Sequence, residues 1–201
     1  MPRIPAAERR AALARAALTV ISRDGLAAAT TRAITAEAGM SLASFHYAVA
    51  SRDELLRDVV ELVVERERDA ASGFLGHATT ARDAIAQALT GYLDHVRADP
   101  GSEQAMFELT QHALRTPHLA DLPAEQYRSY HALAAGLLEA GASALHIEWS
   151  IPVPDLARLL VTLTDGLTLA WLADRDDAAA ERAIEHAADA IAAFAREAVT
   201  A

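Results

Sequence analysis

The sequence predicts an all-α protein with a helix-turn-helix near its start. Good helix formers, namely alanine, leucine, glutamate and arginine, dominate almost every segment. No sustained alternation of β-branched and polar residues appears. The stretch from Thr30 to Leu56, TTRAITAEAGMSLASFHYAVASRDELL, has the build of two short capped helices separated by a glycine turn.

The elements follow in order. Residues 7–23 place Leu13, Ala16, Ala17, Val20 and Ile21 at helical spacing, and Asp24-Gly25 ends the pattern. Thr30 or Thr31 caps a second helix through Glu37, with Ile34 inward and Gly39 supplying the turn. Ser41 or Leu42 starts a third helix reaching about Val49. Ser51 caps a fourth, in which Glu54 is placed to complete a capping box. That helix runs from about 52 to 73 before Gly73 and Gly76 interrupt it, long enough to connect a head to a body. Further helices are expected at about 80–98, 102–115, 121–142, 153–173 and 177–198, separated by Asp99-Pro100-Gly101, Thr116-Pro117, a loop with Pro152 and Pro154, and Asp174–Asp177. Residues 144–151, ALHIEWSI, look faintly like a strand but are read as a surface loop with buried anchors.

Two domains are expected, a head over 1–52 and a body over 53–201. The charge is split in the same way. The whole chain carries a net charge of -10, yet residues 1–52 hold seven arginines against Glu8, Asp24 and Glu37, a net +4, which leaves -14 for the rest. Such a head is drawn to a phosphate backbone that repels the body. Cysteine is absent, which excludes disulfides and thiolate chemistry. The opening MPRIPAAERR lacks the apolar run of a signal peptide. Every later apolar stretch is broken by charged or turn residues short of the roughly 20 needed to cross a bilayer. A soluble, cytoplasmic protein without membrane contact is expected.

The second helix of a helix-turn-helix must reach into a major groove about 12 Å wide, so small residues are needed where the helices cross. Ala33, Ala36, Ala38 and Gly39 meet that need, while Ile34, Met40, Phe45 and Val49 would share a small core with Leu13, Ala17 and Val20. Phe45 is accordingly read as core. The remaining face of the third helix, entered at Ser41, offers Leu42 and Ala43 for thymine methyl groups, and Ser44, His46 and Tyr47 as donors to phosphate. Thr31 adds a hydroxyl at a helix start, and Arg32 and Arg52 add charge. Double-stranded DNA is the expected partner. With no Arg, Gln or Asn between residues 41 and 51, specificity would rest on van der Waals contact and DNA shape.

Residues 7–60 resemble the N-terminal domain of the TetR/AcrR family of transcriptional regulators. The likeness is strongest over G39-M40-S41-L42-A43-S44-F45-H46-Y47-A48-V49-A50-S51-R52-D53-E54-L55-L56. By that resemblance Phe45 takes the place of a buried leucine, His46 that of a backbone-touching tyrosine, and Arg52 that of a phosphate-anchoring lysine. Ala48 stands where histidine or tyrosine is frequent and Ala43 where many members have glycine, so fewer polar contacts are on offer. The segment T164-D165-G166-L167-T168-L169-A170-W171-L172-A173-D174 looks like the penultimate helix of many members.

The resemblance implies a homodimeric repressor on a palindromic operator, released by a small effector held in the body. Its last two helices would form a four-helix interface through Leu156, Leu160, Leu163, Leu167, Ile184, Ala188 and Ile191. The residues agree, since leucines surround most of the helix from 153 and a helix apolar on more than one face is buried on more than one face. Trp171 is read as support for the dimer core. Candidate effector contacts are Tyr92, Met106, Phe107, Thr110, Gln111, Leu114, Tyr127, His131 and Trp149, each of which could equally be ordinary core. No cluster of like charge marks the ligand, so a mostly apolar effector is expected.

The eight histidines, His77 among them, include no His-Glu-x-x-His and no pair at i and i+4, so neither a metal nor a cofactor is expected. His112, His118 and Asp121 are the nearest to a convergence. Asp165 and His131 are the pair an enzyme could use, but nothing gathers a nucleophile, base and orienting group around them. The competing reading is a helical interaction or scaffold protein with a DNA face too poor to read sequence.

Overall fold

The computed structural model describes residues 5–71 and 78–198. Expected features at Gly73, Gly76 and His77 lie outside them. The fold is all-α as the composition predicts. Its helices are α1 (Ala6–Asp24), α2 (Thr31–Glu37), α3 (Leu42–Ala48), α4 (Arg52–Ala71), α5 (Ala81–Ala98), α6 (Pro100–Ala113), α7 (Leu122–Leu145), α8 (Val153–Asp174) and α9 (Asp177–Ala192). Single 3-10 turns at Leu26–Ala28 and Pro117–Leu119 complete the helical parts.

One feature of the ends departs from expectation. Ile147–Trp149 is a strand, β1, and the last helix stops at Ala192 so that Ala195–Glu197 forms β2. The two pair antiparallel, with Ile147 opposite Glu197 and Trp149 opposite Ala195. His146, at a φ of 54°, turns the chain out of α7 into β1. The Trp149 indole donates to the Leu138 carbonyl at 3.1 Å, so the segment read as an anchored loop is anchored and also paired.

The chain divides into two compact units. The first holds residues up to Arg66 together with Asp99–Gln126, and the second Glu67–Ala98 with residues from Tyr127 onward. In the first, α1 packs on α2, α3 and α6. Its core contains Leu13, Ala17, Val20, Ile34, Phe45 and Val49, as the sequence predicts, with Leu55, Leu56, Val59 and Leu109 also buried. Gly101 lets α6 come this near to α1, because a Cβ there would lie 3.2 Å from the Ser22 carbonyl oxygen.

In the second unit α9 packs on α5 and α8 around Leu93, Val96, Leu156, Ile184, Ala188 and Ile191, all at 2% exposure or less. Trp171 belongs to this core, donating to Asp177 at 2.8 Å while the Arg175 guanidinium lies 4.3 Å from its ring centroid. Charged residues interrupt the apolar runs of α8 at Arg158 and Asp165, as the sequence reading has it, although by length and composition the helix as a whole could cross a membrane. α8 is one unbroken helix of 22 residues whose apolar window has a mean hydropathy of 1.4 and is only 28% buried. Its Asp165 and Thr168 bond to tyrosines of α7 and α5, which makes it a core helix whose outer apolar residues are half-buried, with Leu169 exposed.

Candidate nucleic-acid interface and body sites

The caps of the helix-turn-helix form as their residues dictate. The Thr30 hydroxyl accepts from the Ala33 amide at 3.2 Å and Ser41 from Ser44 at 3.2 Å, each meeting one of the unsatisfied donors of a helix start. Gly39, at a φ of +63°, ends α2 in a Schellman motif: the Met40 amide donates to Thr35 and the Gly39 amide to Ala36. Ser51 accepts from Glu54 N–H at 3.0 Å, while the Glu54 carboxylate reaches back to the Ala50 amide at 2.8 Å, one residue before the cap. Arg10 of α1 then clamps α4, donating to Glu54 at 2.6 Å and to both oxygens of Asp58 at 2.7 Å. The two carboxylates hold the Arg10 guanidinium well above its ordinary range, and the Ala50 amide and Arg10 hold Glu54 below its own.

With Phe45 turned inward at 1% exposure, α3 presents Leu42, Ala43, His46 and Tyr47 to solvent. Leu42 at 49% and Tyr47 at 61% exposed are among the largest uncovered apolar side chains of the molecule. Ser44 is half-buried, its hydroxyl 3.0 Å from that of Ser41. Arg32 is exposed on α2 beside a half-buried Thr31.

Two features were missed in the sequence. Arg9 of α1 lies 5.2 Å from the Tyr47 ring centroid, placing a cation at the edge of the α3 face, and its membership of the charged N-terminal pair Arg9-Arg10 was the available signal. Arg52, expected to anchor phosphate, is half-buried and donates to the carbonyls of Ala29 at 2.7 Å and Leu26 at 2.8 Å. Two of its three nitrogens thus fasten the 3-10 turn that leads into α2. Glu108 of α6 fastens the same turn from the other side, accepting from the Leu26 amide at 2.7 Å.

The expected effector contacts divide between the units. In the first, Met106 is buried, Phe107 half-buried, Thr110 donates to Gln126 at 3.0 Å, and Gln111 and Leu114 are exposed. In the second, Tyr92, Tyr127, His131 and Trp149 are half-buried. The Tyr127 hydroxyl donates to Asp165 at 2.8 Å and the Tyr92 hydroxyl lies 2.6 Å from that of Thr168, so tyrosines of α7 and α5 grip α8 one turn apart. Burial and the neighbouring carboxylate push the Tyr127 phenol up to about 12. Burial also raises the Asp165 carboxyl, and burial with the Arg158 charge lowers His131. His118 pairs with Asp53 at 2.6 Å, His112 lies near the Thr116 hydroxyl, and Asp121 pairs with Arg57 at 2.7 Å.

Of the expected interface residues, Leu156, Ile184, Ala188 and Ile191 lie in the core of the protomer itself, whereas Leu160, Leu163 and Leu167 are half-buried and Leu169 is 57% exposed.

Sequence profiles of known families match both parts of the chain. That of bacterial regulatory proteins of the tetR family covers residues 13–59, and that of the BetI-type transcriptional repressor C-terminal domain covers residues 81–196. The chain belongs to the TetR family of transcriptional regulators. It is a DNA-binding regulator and not an enzyme.

Among TetR-family relatives, the nicotine-responsive transcriptional repressor HdnoR of Paenarthrobacter nicotinovorans is 29% identical over 175 residues, 87% of this chain and 89% of that protein. The fold is shared with a TetR-family regulator from Rhodococcus sp., at a TM-score of 0.75 and 23% identity over 94% of this chain and 98% of the other. It is shared too with a regulator from Saccharomonospora viridis crystallised with choline, at a TM-score of 0.70 and 20% identity over 92% and 96%.

Proposed function

We propose that this regulator is a homodimeric repressor whose hold on a palindromic operator is relieved by a small, mostly apolar effector. The head, over 1–52, reads DNA and the body, over 53–201, dimerises and binds the effector. The observation that carries the reading is the α3 face: Leu42, Ala43, His46 and Tyr47 stand outward on a helix fixed at both ends, with Ser41, Ser44, Thr31 and Arg32 beside them. Leu42 and Ala43 meet thymine methyl groups, and the hydroxyls and His46 meet phosphates. Arg52 serves by holding the turn before α2, and Arg9 supplies charge at the edge. Such work places the protein in the cytoplasm with its DNA.

Dimerisation is supported by α8, where Leu160, Leu163 and Leu167 are only half-buried and Leu169 is exposed. Two-fold pairing through α8 and α9 would bring two heads to one duplex, which is what a palindromic operator requires. Responsiveness to a small molecule is supported by the HdnoR relative, which is nicotine-responsive by name, and by the choline-bound neighbour in fold. The half-buried polar and aromatic groups Tyr92, Tyr127, His131 and Trp149 are the contacts offered in the second unit, with Met106, Phe107, Thr110, Gln111 and Leu114 in the first.

Sedimentation of the protein with a fluorescent duplex from its own upstream intergenic DNA tests this. Two or four protomers per duplex are expected; binding as a lone monomer overturns the reading.

A further inference from the structure

α8 is apolar around most of its circumference, with Leu156 and Val161 in the core of the protomer, Leu160, Leu163 and Leu167 half-buried and Leu169 exposed. Apolar packing is not directional. Turning such a helix by one residue, about 100°, exchanges one leucine for another with little change in the apolar area it buries. The leucines alone therefore do not fix its rotation.

Its polar side chains do. Thr162 and Thr164 donate back to carbonyls of α8 itself, those of Arg158 at 2.8 Å and Val161 at 2.9 Å, and so turn with the helix. Asp165 and Thr168 bond outward instead. The Tyr127 hydroxyl of α7 donates to Asp165 at 2.8 Å, and the Tyr92 hydroxyl of α5 lies 2.6 Å from that of Thr168. Three residues apart, Asp165 and Thr168 share one face of α8, so two other helices hold that face at two points. Thr168 is 1% exposed and Asp165 is half-buried. A rotation that parts them from the tyrosines leaves polar groups without bonds where water reaches poorly.

Asp165 does not stabilise the fold at neutral pH. Burial raises its carboxyl, so the ionised form is disfavoured in the folded protein. A polar group that costs stability and bonds across helices can hold an otherwise apolar packing to one arrangement, as a lone asparagine sets the register of a coiled coil.

We propose that the Tyr92–Thr168 and Tyr127–Asp165 pairs are pins that fix the rotation of α8, and so decide which of its leucines a second protomer meets. The inference rests on the homodimer reading above and names four positioning residues for that interface, each acting through the leucines.

The chain has no cysteine, so a nitroxide attached at Ala173→Cys, an exposed position of α8, labels each protomer once. The labelled full-length protein is compared with the same chain carrying Tyr92→Phe, Thr168→Val, Tyr127→Phe and Asp165→Leu. That set replaces both partners of each bond by apolar groups, and its unfolding in urea is expected to stay near that of the wild type. Two further variants remove one pair each and serve if the fourfold change does not fold. Pulsed electron spin resonance is expected to give one narrow distance between protomers with both pins in place, and a broadened or divided distribution once either is removed. Sedimentation is expected to show the dimer dissociation constant raised about tenfold, the scale of coupling between groups in contact. A distance that stays narrow and unchanged in every folded variant overturns the inference and leaves the homodimer standing. A broad or divided distribution in the wild type overturns it as well. A wild type that sediments as a monomer sinks the homodimer reading and this inference with it.

Discussion

Glu108 of α6 accepts a hydrogen bond from the backbone amide of Leu26, 82 residues earlier, at 2.7 Å. The 3-10 turn at Leu26–Ala28 joins α1 to α2, so a carboxylate of α6, in the same compact unit, orients the start of the helix-turn-helix. Glu108→Ala leaves a part-buried amide without its partner and is expected to cost about 1–3 kcal/mol in urea unfolding. Glu108→Gln, which retains an acceptor, should recover most of that loss. An alanine variant as stable as the wild type would mean that the contact carries no stability.

Arg52 holds the same turn through the carbonyls of Ala29 and Leu26. If its work is positional, Arg52→Ala lowers both the unfolding temperature and DNA affinity, and Arg52→Lys, which cannot reproduce the fork, restores neither fully. A variant that binds DNA less tightly with unchanged stability would instead assign Arg52 to phosphate alone.

The pH dependence of stability has two opposed parts. Arg23 and Asp24, the Ala50 amide and Arg10 with Glu54, Arg57 with Asp121, and Trp171 and Arg97 with Asp177 hold those four carboxyls below their ordinary values. Their contribution is present above the ordinary values of 3.8 for Asp and 4.5 for Glu, and is lost as the pH falls through the folded values. Asp165 is raised by burial, so it favours the folded state below 3.8 and that advantage is lost as the pH rises through its folded value. Asp165→Asn should therefore unfold at a higher temperature than the wild type at pH 7, with the gap closing below pH 3.8. A gap that is constant with pH would contradict an ionised, half-buried Asp165.

Tyr127 gives a spectroscopic check on the same pair. Its phenol should ionise near pH 12, and Asp165→Asn should bring that transition down toward 10.0. Absorbance titration reads it directly. An unchanged transition in the variant would leave burial as the whole cause.

The half-buried leucines of α8 predict an assembly that one charge disrupts. Leu163→Asp should turn a sedimenting dimer into a monomer, because an unpaired carboxylate in an apolar interface is costly to desolvate. Leu156→Ala, in the core of the protomer, should instead lower stability by about 2–5 kcal/mol. A Leu163→Asp dimer of unchanged strength would place the interface elsewhere.

Local chemistry made the head legible: Thr30, Ser41 and Ser51 cap where small hydroxyl residues must, and Gly39 turns at positive φ. The grip of Arg52 and Glu108 on the first turn was not legible, since it joins residues far apart in sequence through backbone groups that every residue possesses. The strands β1 and β2 are three residues each, too short for a period of two to register, and each is defined by a partner that lies beyond two intervening helices in the chain. The leucine-rich circumference of α8 announced burial on several faces. It could not tell Leu156, inside the protomer, from Leu169, outside it.

The most direct measurement is the salt-dependent affinity of the full-length protein for its upstream intergenic duplex against a shuffled duplex of equal length, for wild type, Leu42→Ala and Tyr47→Ala. Both side chains are exposed, so the variants should unfold like the wild type. The account predicts preferential binding of the upstream duplex that weakens as salt rises and falls by about tenfold, the scale of a contact worth 1–3 kcal/mol, in each variant. Equal binding of both duplexes, unaltered by either substitution, would contradict it and favour a helical interaction protein whose head does not read DNA.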